Sequence, residues 1–148
     1  MTRTRPFLAA TAALAIASVT ALAPVITTAP AAGAAASCTG TSLVQGVGTR
    51  DKVRVPTVGN GSGNWHCELG LGNDSVAVAR LQIALDEWCN LSAGLTVDGD
   101  YGPLTQRAVR NVQHAYHVTV DGIYGPQTAF AMLWPVAGSG GSACTLIG

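Results

Sequence analysis

The sequence predicts a mainly α protein, a small three-helix bundle preceded by a short disulfide-linked β/loop segment. Three observations carry that reading. The stretch "TVDGDYGPLTQRAV" at 96–109 returns as "TVDGIYGPQTAFAM" at 119–132, a tight turn that each time runs into a segment of helical periodicity. From about residue 73 the apolar residues recur at helical spacing, whereas 37–72 is rich in Gly, Thr and Val and reads as short strands and turns. Four cysteines, all beyond the apolar N-terminus, offer staples to a core of modest size.

The chain opens on a leader. Of 148 residues 48% are hydrophobic and 11% charged, which fits either a membrane protein or a compact domain behind an apolar signal. Arg3 and Arg5 precede an apolar run over 7–22, and Ala34, Ala35 and Ala36 offer a small-residue cleavage site before Ser37. The run is short and Ala/Thr-rich for a spanning helix. Removal of a signal peptide over 1–36 leaves 148 less 36, or 112, residues, with six basic against eight acidic groups, a net of −2. The expected product is a secreted monomer, extracellular or cell-wall associated, with no membrane segment after signal cleavage. Its low charge and lack of basic-aromatic interleaving argue against nucleic acid as a partner.

Residues 37–72 form the β/loop extension. "DKVRVPTV" at 51–58 alternates charged and apolar residues, and "GNGSGN" at 59–64 is a loop. Cys38, Cys67, Cys89 and Cys144 include no C-x-x-C pair, so two disulfides are expected rather than a zinc or redox site. Three pairings are open. The favoured one joins Cys67 to Cys89 locally and leaves Cys38 with Cys144 to tie the chain ends. A rival reading, in which Cys38 is the lipidated first residue of a lipoprotein, strands three cysteines in an oxidising compartment.

A helical domain follows over 73–135. Asp74 or Ser75 can cap a first helix whose face holds Val78, Leu81, Leu85 and Trp88 and which runs to about Cys89. Pro103 suits the first position of a second helix, with Leu104, Ala108, Val112 and Tyr116 on one stripe. Pro126 opens a third that carries Ala129 and Leu133 to Trp134, where Pro135 stops it. The tail, 136–148, is expected to be held only by Cys144.

The repeat sets the architecture. Asp98 and Asp121 are 23 residues apart, and of the 13 positions from Val97 eight match those from Val120. "LQIA" at 81–84 resembles "VQHA" at 112–115, but the connection from there to the Asp-Gly pair is eight residues longer in the first copy. In each turn, Asp98-Gly99 and Asp121-Gly122 make the reversal, Gly102 and Gly125 admit the chain to the helix, and Pro presets its first turn. Thr105 and Thr128 sit where they can reach a free backbone group.

These residues resemble the peptidoglycan-binding-domain-1 family of small three-helix modules found in bacterial cell-wall hydrolases. The resemblance rests on Leu81, Gln82, Leu85, Asp98, Gly99, Tyr101, Gly102, Thr105, Ala108, Val109, Val112, Gln113, Asp121, Gly122, Tyr124, Gly125 and Thr128, and spans about 73–134. The sequence departs from the family at His117, where a glycine is common; His can occupy a left-handed helix cap at some cost. The resemblance implies non-catalytic attachment to peptidoglycan, through glycan, stem peptide or both, without a cofactor.

An added enzyme has little room, since the 36 residues of the extension cannot house a hydrolase. His66 and Cys67 suggest a base and thiol, but neighbours in an extended segment point apart, and Cys67 is needed for disulfide parity. His114 and His117 lack a third metal ligand and suit the end of a helix dipole. Asp86 and Glu87 diverge by about 100° on a helix and do not face one glycosidic bond.

The duplicated turn residues are explained by architecture, so specific contacts are expected from residues the repeat does not dictate. Those are Asp100, Gln106, Arg107, Arg110, Asn111 and His114. Either arginine could pair with a stem-peptide carboxylate. Tyr101 and Tyr124 either pack a helix start or present a ring to a sugar face, and the resemblance keeps them as ligand candidates. The alternative function is a protein-interaction or inhibitory module for a separate cell-wall hydrolase. The helical fold also resembles the propeptide portion of matrix metalloproteinases, and an inhibitor of that kind would carry a zinc-directed free thiol.

Overall fold

The structure is a computed structural model that describes residues 35–87 and 89–148. The leader predicted over 1–36 lies outside the described residues but for its last two positions, and so does Trp88. Residues 35–148 fall within one compact unit.

Two six-residue strands, β1 (Gly40–Gln45) and β2 (Lys52–Thr57), form an antiparallel hairpin in which Gly40 faces Thr57 and Gln45 faces Lys52. The alternation in β2 turns Val53 and Val55 into the core and Lys52 and Arg54 outward. Helix α1 (Val76–Asp86) packs on this hairpin. Its N-cap is Ser75, whose hydroxyl accepts from the Val78 amide at 3.3 Å. Helices α2 (Pro103–Ala115) and α3 (Pro126–Ala131) each begin at a proline behind a glycine N-cap. Two short strands follow, β3 (Trp134–Pro135) and β4 (Cys144–Thr145), paired antiparallel.

The expected three-helix bundle is therefore corrected: three helices share the molecule with two small antiparallel sheets, and strand residues supply part of the core. Helix α3 has only six residues, too short to form one side of a bundle. It stops at Met132, in extended conformation, rather than at Trp134. Trp134 then turns inward as part of β3, fully buried, with its indole N–H donated to the Ala129 carbonyl at 2.9 Å. Val53, Val55, Leu69, Trp134 and Ile147 join Val78, Leu81, Leu85, Val109 and Val112 in one cluster. Helix α1 likewise ends at Asp86, short of Cys89.

The stripe on α2 is shifted from the expected one. Thr105, Ala108, Val109, Val112 and Gln113 are buried, at the i, i+3, i+4, i+7, i+8 spacing of a core face, and Leu104 is 67% exposed. Two of the buried five are polar, which is why an apolar count misplaced the face. Helix α2 ends as the departure at His117 requires. His117 has φ 56°, its amide donates to the His114 carbonyl, and the Val118 amide donates to the Gln113 carbonyl, the two bonds of a Schellman cap.

Both disulfides form, but not with the favoured pairing of Cys67–Cys89 and Cys38–Cys144: Cys38 joins Cys67 and Cys89 joins Cys144, with Cα separations of 5.1 and 6.4 Å. Cys67 lies before α1, where the Glu68 amide and carbonyl bond Ala36 and Cys38 and bring Cys38 alongside. Cys89 lies beyond the other end of α1, whose eleven residues span about 16 Å, well past the reach of a bridge. The tail is also more firmly held than expected. Val136 bridges to Val53 and Ile147 to Gly46, and Ile147 is buried.

Candidate binding site

The two turns are built by the same buried device. In the first, Gln82 of α1 donates its amide to Asp98 Oδ1 at 2.7 Å, to the Asp100 carbonyl at 3.0 Å and to Thr105 Oγ1 at 3.2 Å, and accepts from the Gly99 amide at 2.9 Å. In the second, Gln113 of α2 donates to Asp121 Oδ1 at 2.8 Å, the Ile123 carbonyl at 2.9 Å and Thr128 Oγ1 at 3.0 Å, and accepts from the Gly122 amide at 2.9 Å. Each glutamine clamps the next turn to the helix before it, so the motif occurs twice because the clamp does. The Asp98 carboxyl is held below its ordinary range by the Gln82 amide and then by the Asp100 amide.

The tyrosines of the repeat belong to this framework. Tyr101 and Tyr124 are 1% and 0% exposed, which corrects the expectation that either ring meets a sugar face. Tyr101 crosses from the first turn to the second, donating its hydroxyl to the Gly122 carbonyl at 3.0 Å. Tyr124 packs edge-on against Trp134, and its buried hydroxyl has no hydrogen-bond partner among the described residues. Burial pushes both phenols well above their ordinary range. Their backbones pair with the end of the extension: Leu69 exchanges hydrogen bonds with Tyr124, and Gly72 and Asn73 bond Tyr101.

The remaining candidates divide between two sides of α2. Arg107 and Asn111 line a groove of about 200 Å³ with Leu104, whose other wall is Leu91, Gly94 and Leu95. Next to it, sharing Leu95 and Leu104, lies a second hollow of about 320 Å³ that reaches Asp98 and Asp100. Through those two shared residues the hollows adjoin as a trough, with Arg107 lining the first and Asp98 and Asp100 the second. Gln106 and Arg110 are on the opposite side, covering the second turn. A β-carbon at Gly122, which has φ 75°, would meet Arg110 Nε at 2.6 Å and Gln106 Cγ at 2.8 Å. Arg110 also donates to the Asp121 carbonyl at 3.4 Å. His114 is exposed in the last turn of α2, lined up with neither hollow.

The wall of the trough is a feature that residue chemistry alone did not single out. Residues 91–95 contain Leu91 and Ser92 at φ 63° and 42° and Gly94 at 65°. Asp86 holds this loop by accepting the Gly94 and Leu95 amides, and Asn90 anchors its start to the Ala84 and Leu133 carbonyls. The eight residues by which the first copy of the repeat exceeds the second were its signal.

Residues 74–132 match the family model described as a putative peptidoglycan binding domain. No curated protein sequence matches the chain. Among solved structures, a fused Zn-dependent amidase/peptidase/peptidoglycan-binding domain-containing protein from Clostridium acetobutylicum ATCC 824 is similar at 31% identity. That match covers 41% of this chain and 26% of the other, with a TM-score of 0.38. A peptidoglycan-binding protein from Clostridioides difficile, solved in complex with glutamine hydroxamate, is similar at 22% identity over 60% of this chain and 53% of the other, with a TM-score of 0.44. The matches thus span about a quarter and about half of those proteins' lengths.

Proposed function

We propose, from the premise that residues 74–132 belong to the putative peptidoglycan binding domain family, that this chain is a secreted, non-catalytic module that holds peptidoglycan in the trough between α2 and the 91–95 loop. The carrying observation is the meeting of Leu104, Arg107 and Asn111 with that loop, all on surface that the duplicated framework leaves free. Arg107 offers a planar fork to a carboxylate, Asn111 both a donor and an acceptor, and Leu91 and Leu104 apolar flanks. A trough this shallow gives modest affinity at each site, and the many repeats of the wall polymer raise retention. Two disulfides accord with an extracellular or wall-associated location.

The test is co-sedimentation of oxidised protein with purified insoluble peptidoglycan, with chitin and cellulose as controls and the supernatant assayed for released fragments. Selective pelleting without released fragments is expected. Arg107→Ala should weaken it roughly tenfold or more, the range for one charge-assisted contact, and Arg110→Ala should leave it nearly unchanged. Pelleting that responds to Arg110 and not Arg107 would move the site to the second turn; released fragments would make the protein an enzyme. The hydrolase-inhibitor reading in its zinc-directed form needs a free thiol, and all four cysteines are bridged.

A further inference from the structure

We propose that the cleft between β2, the end of α1 and the loop after β3 is a second binding site, one that takes the free carboxylate of a short peptide. The cleft has a volume of about 350 Å³, and Arg54, Arg80, Glu87, Gly138 and Gly140 are among the residues lining it. Its two arginines come from distant parts of the chain and are fixed together: Arg80 Nε donates to the Arg54 carbonyl at 2.7 Å, and Arg54 Nη1 donates to Thr41 Oγ1 at 3.2 Å. Among the described residues these are the only hydrogen bonds the two guanidiniums make, and neither forms an ion pair.

Charge makes this arrangement an open site. Arg80 is half-buried, and burial, then the neighbouring Arg54, lower its pKa, with Glu87 acting in the opposite sense. Two cations against one carboxylate leave an excess positive charge in a partly desolvated hollow, which an entering anion relieves. Guanidinium forks match the planar geometry of a carboxylate, and Glu87 disfavours a dianion while accepting from an N–H of the same ligand. The volume lies at the lower end of ordinary ligand pockets and suits a peptide end rather than a polymer. Gly138, at φ 83°, and Gly140, at 61°, form an open rim with no side chain to obstruct entry.

As a contact with the wall this site rests on the function proposed above; as a carboxylate site it does not, and a soluble probe separates the two. The oxidised full-length chain, labelled with ¹⁵N, is titrated with acetyl-alanyl-alanine, with its C-terminal amide and with inorganic phosphate. The expected result is saturable shifts of the Gly138 and Gly140 amides and of Arg80 Nε at millimolar free acid, with little response to the amide. Arg54 is exposed, so Arg54→Ala should keep the thermal midpoint and weaken the acid by about tenfold. The proposal is overturned by the absence of saturable shifts, by equal responses to acid and amide, by tighter binding of phosphate than of the acid, or by an unchanged Kd in Arg54→Ala. Wall pelleting that survives Arg54→Ala would leave the trough as the main attachment without bearing on the soluble result.

Discussion

Tyr101 and Tyr124 hold equivalent positions in the two turns, yet their hydroxyls differ in what they contribute. The Tyr101 hydroxyl has an acceptor in Gly122; that of Tyr124 is buried with no partner among the described residues. Tyr101→Phe should therefore cost about 1 kcal/mol in denaturant unfolding, and Tyr124→Phe should be neutral or stabilising by up to about 1 kcal/mol. Equal losses from both would show that Tyr124 has a partner. Asp98 makes a prediction of opposite chemical sign to the phenols. Its folded pKa lies below the ordinary 3.8, so its contribution to stability is present above that value and lost as pH falls through the folded pKa. A ¹³C titration of the carboxyl should show the depressed value, and Gln82→Met should return it toward 3.8; an unmoved titration would exclude Gln82 as the main cause.

Helix α2 shows how far sequence periodicity reaches. Its start at Pro103, the Asp-Gly turns, the pairing of Gln82 with Gln113 as repeated positions and the left-handed His117 were all legible, because each depends on local backbone chemistry. Its buried face was not, because Thr105 and Gln113 are core residues that a hydrophobic count treats as surface. Leu104 is the converse case, an apolar residue on the outside. Leu104→Ala is expected to change stability by less than about 0.5 kcal/mol while weakening peptidoglycan pelleting severalfold. A loss of 2 kcal/mol or more would return Leu104 to the core. The trough was only half legible: Arg107 and Asn111 stood out by chemistry, whereas their separation from Gln106 and Arg110 depends on where the 91–95 loop packs, a tertiary contact without a local pattern.

At the scale of the whole molecule, the number of disulfides followed from parity but their pairing did not, since it depends on which strands lie side by side. The bridges close spans of 29 and 55 residues. On chain-entropy grounds each is worth on the order of 4 kcal/mol. Replacing Cys89 and Cys144 together by Ser should lower the thermal midpoint by roughly 10 °C or more while leaving the Cys38–Cys67 linkage identifiable by mass mapping of peptides. A mixture of linkages in the variant would show that the fold does not dictate the pairing.

The pairing of residues 69–73 with the backbones of both tyrosines has a practical reach. A fragment trimmed to the family match would begin at residue 74 and leave those backbone groups of Tyr101 and Tyr124 without their partners, beneath a core stripped of Val53, Val55 and Leu69. Anyone grafting this unit onto another protein would have to carry the portable piece from Ala36 to Ile147, since the hairpin and the last residues close the same interior as the repeat.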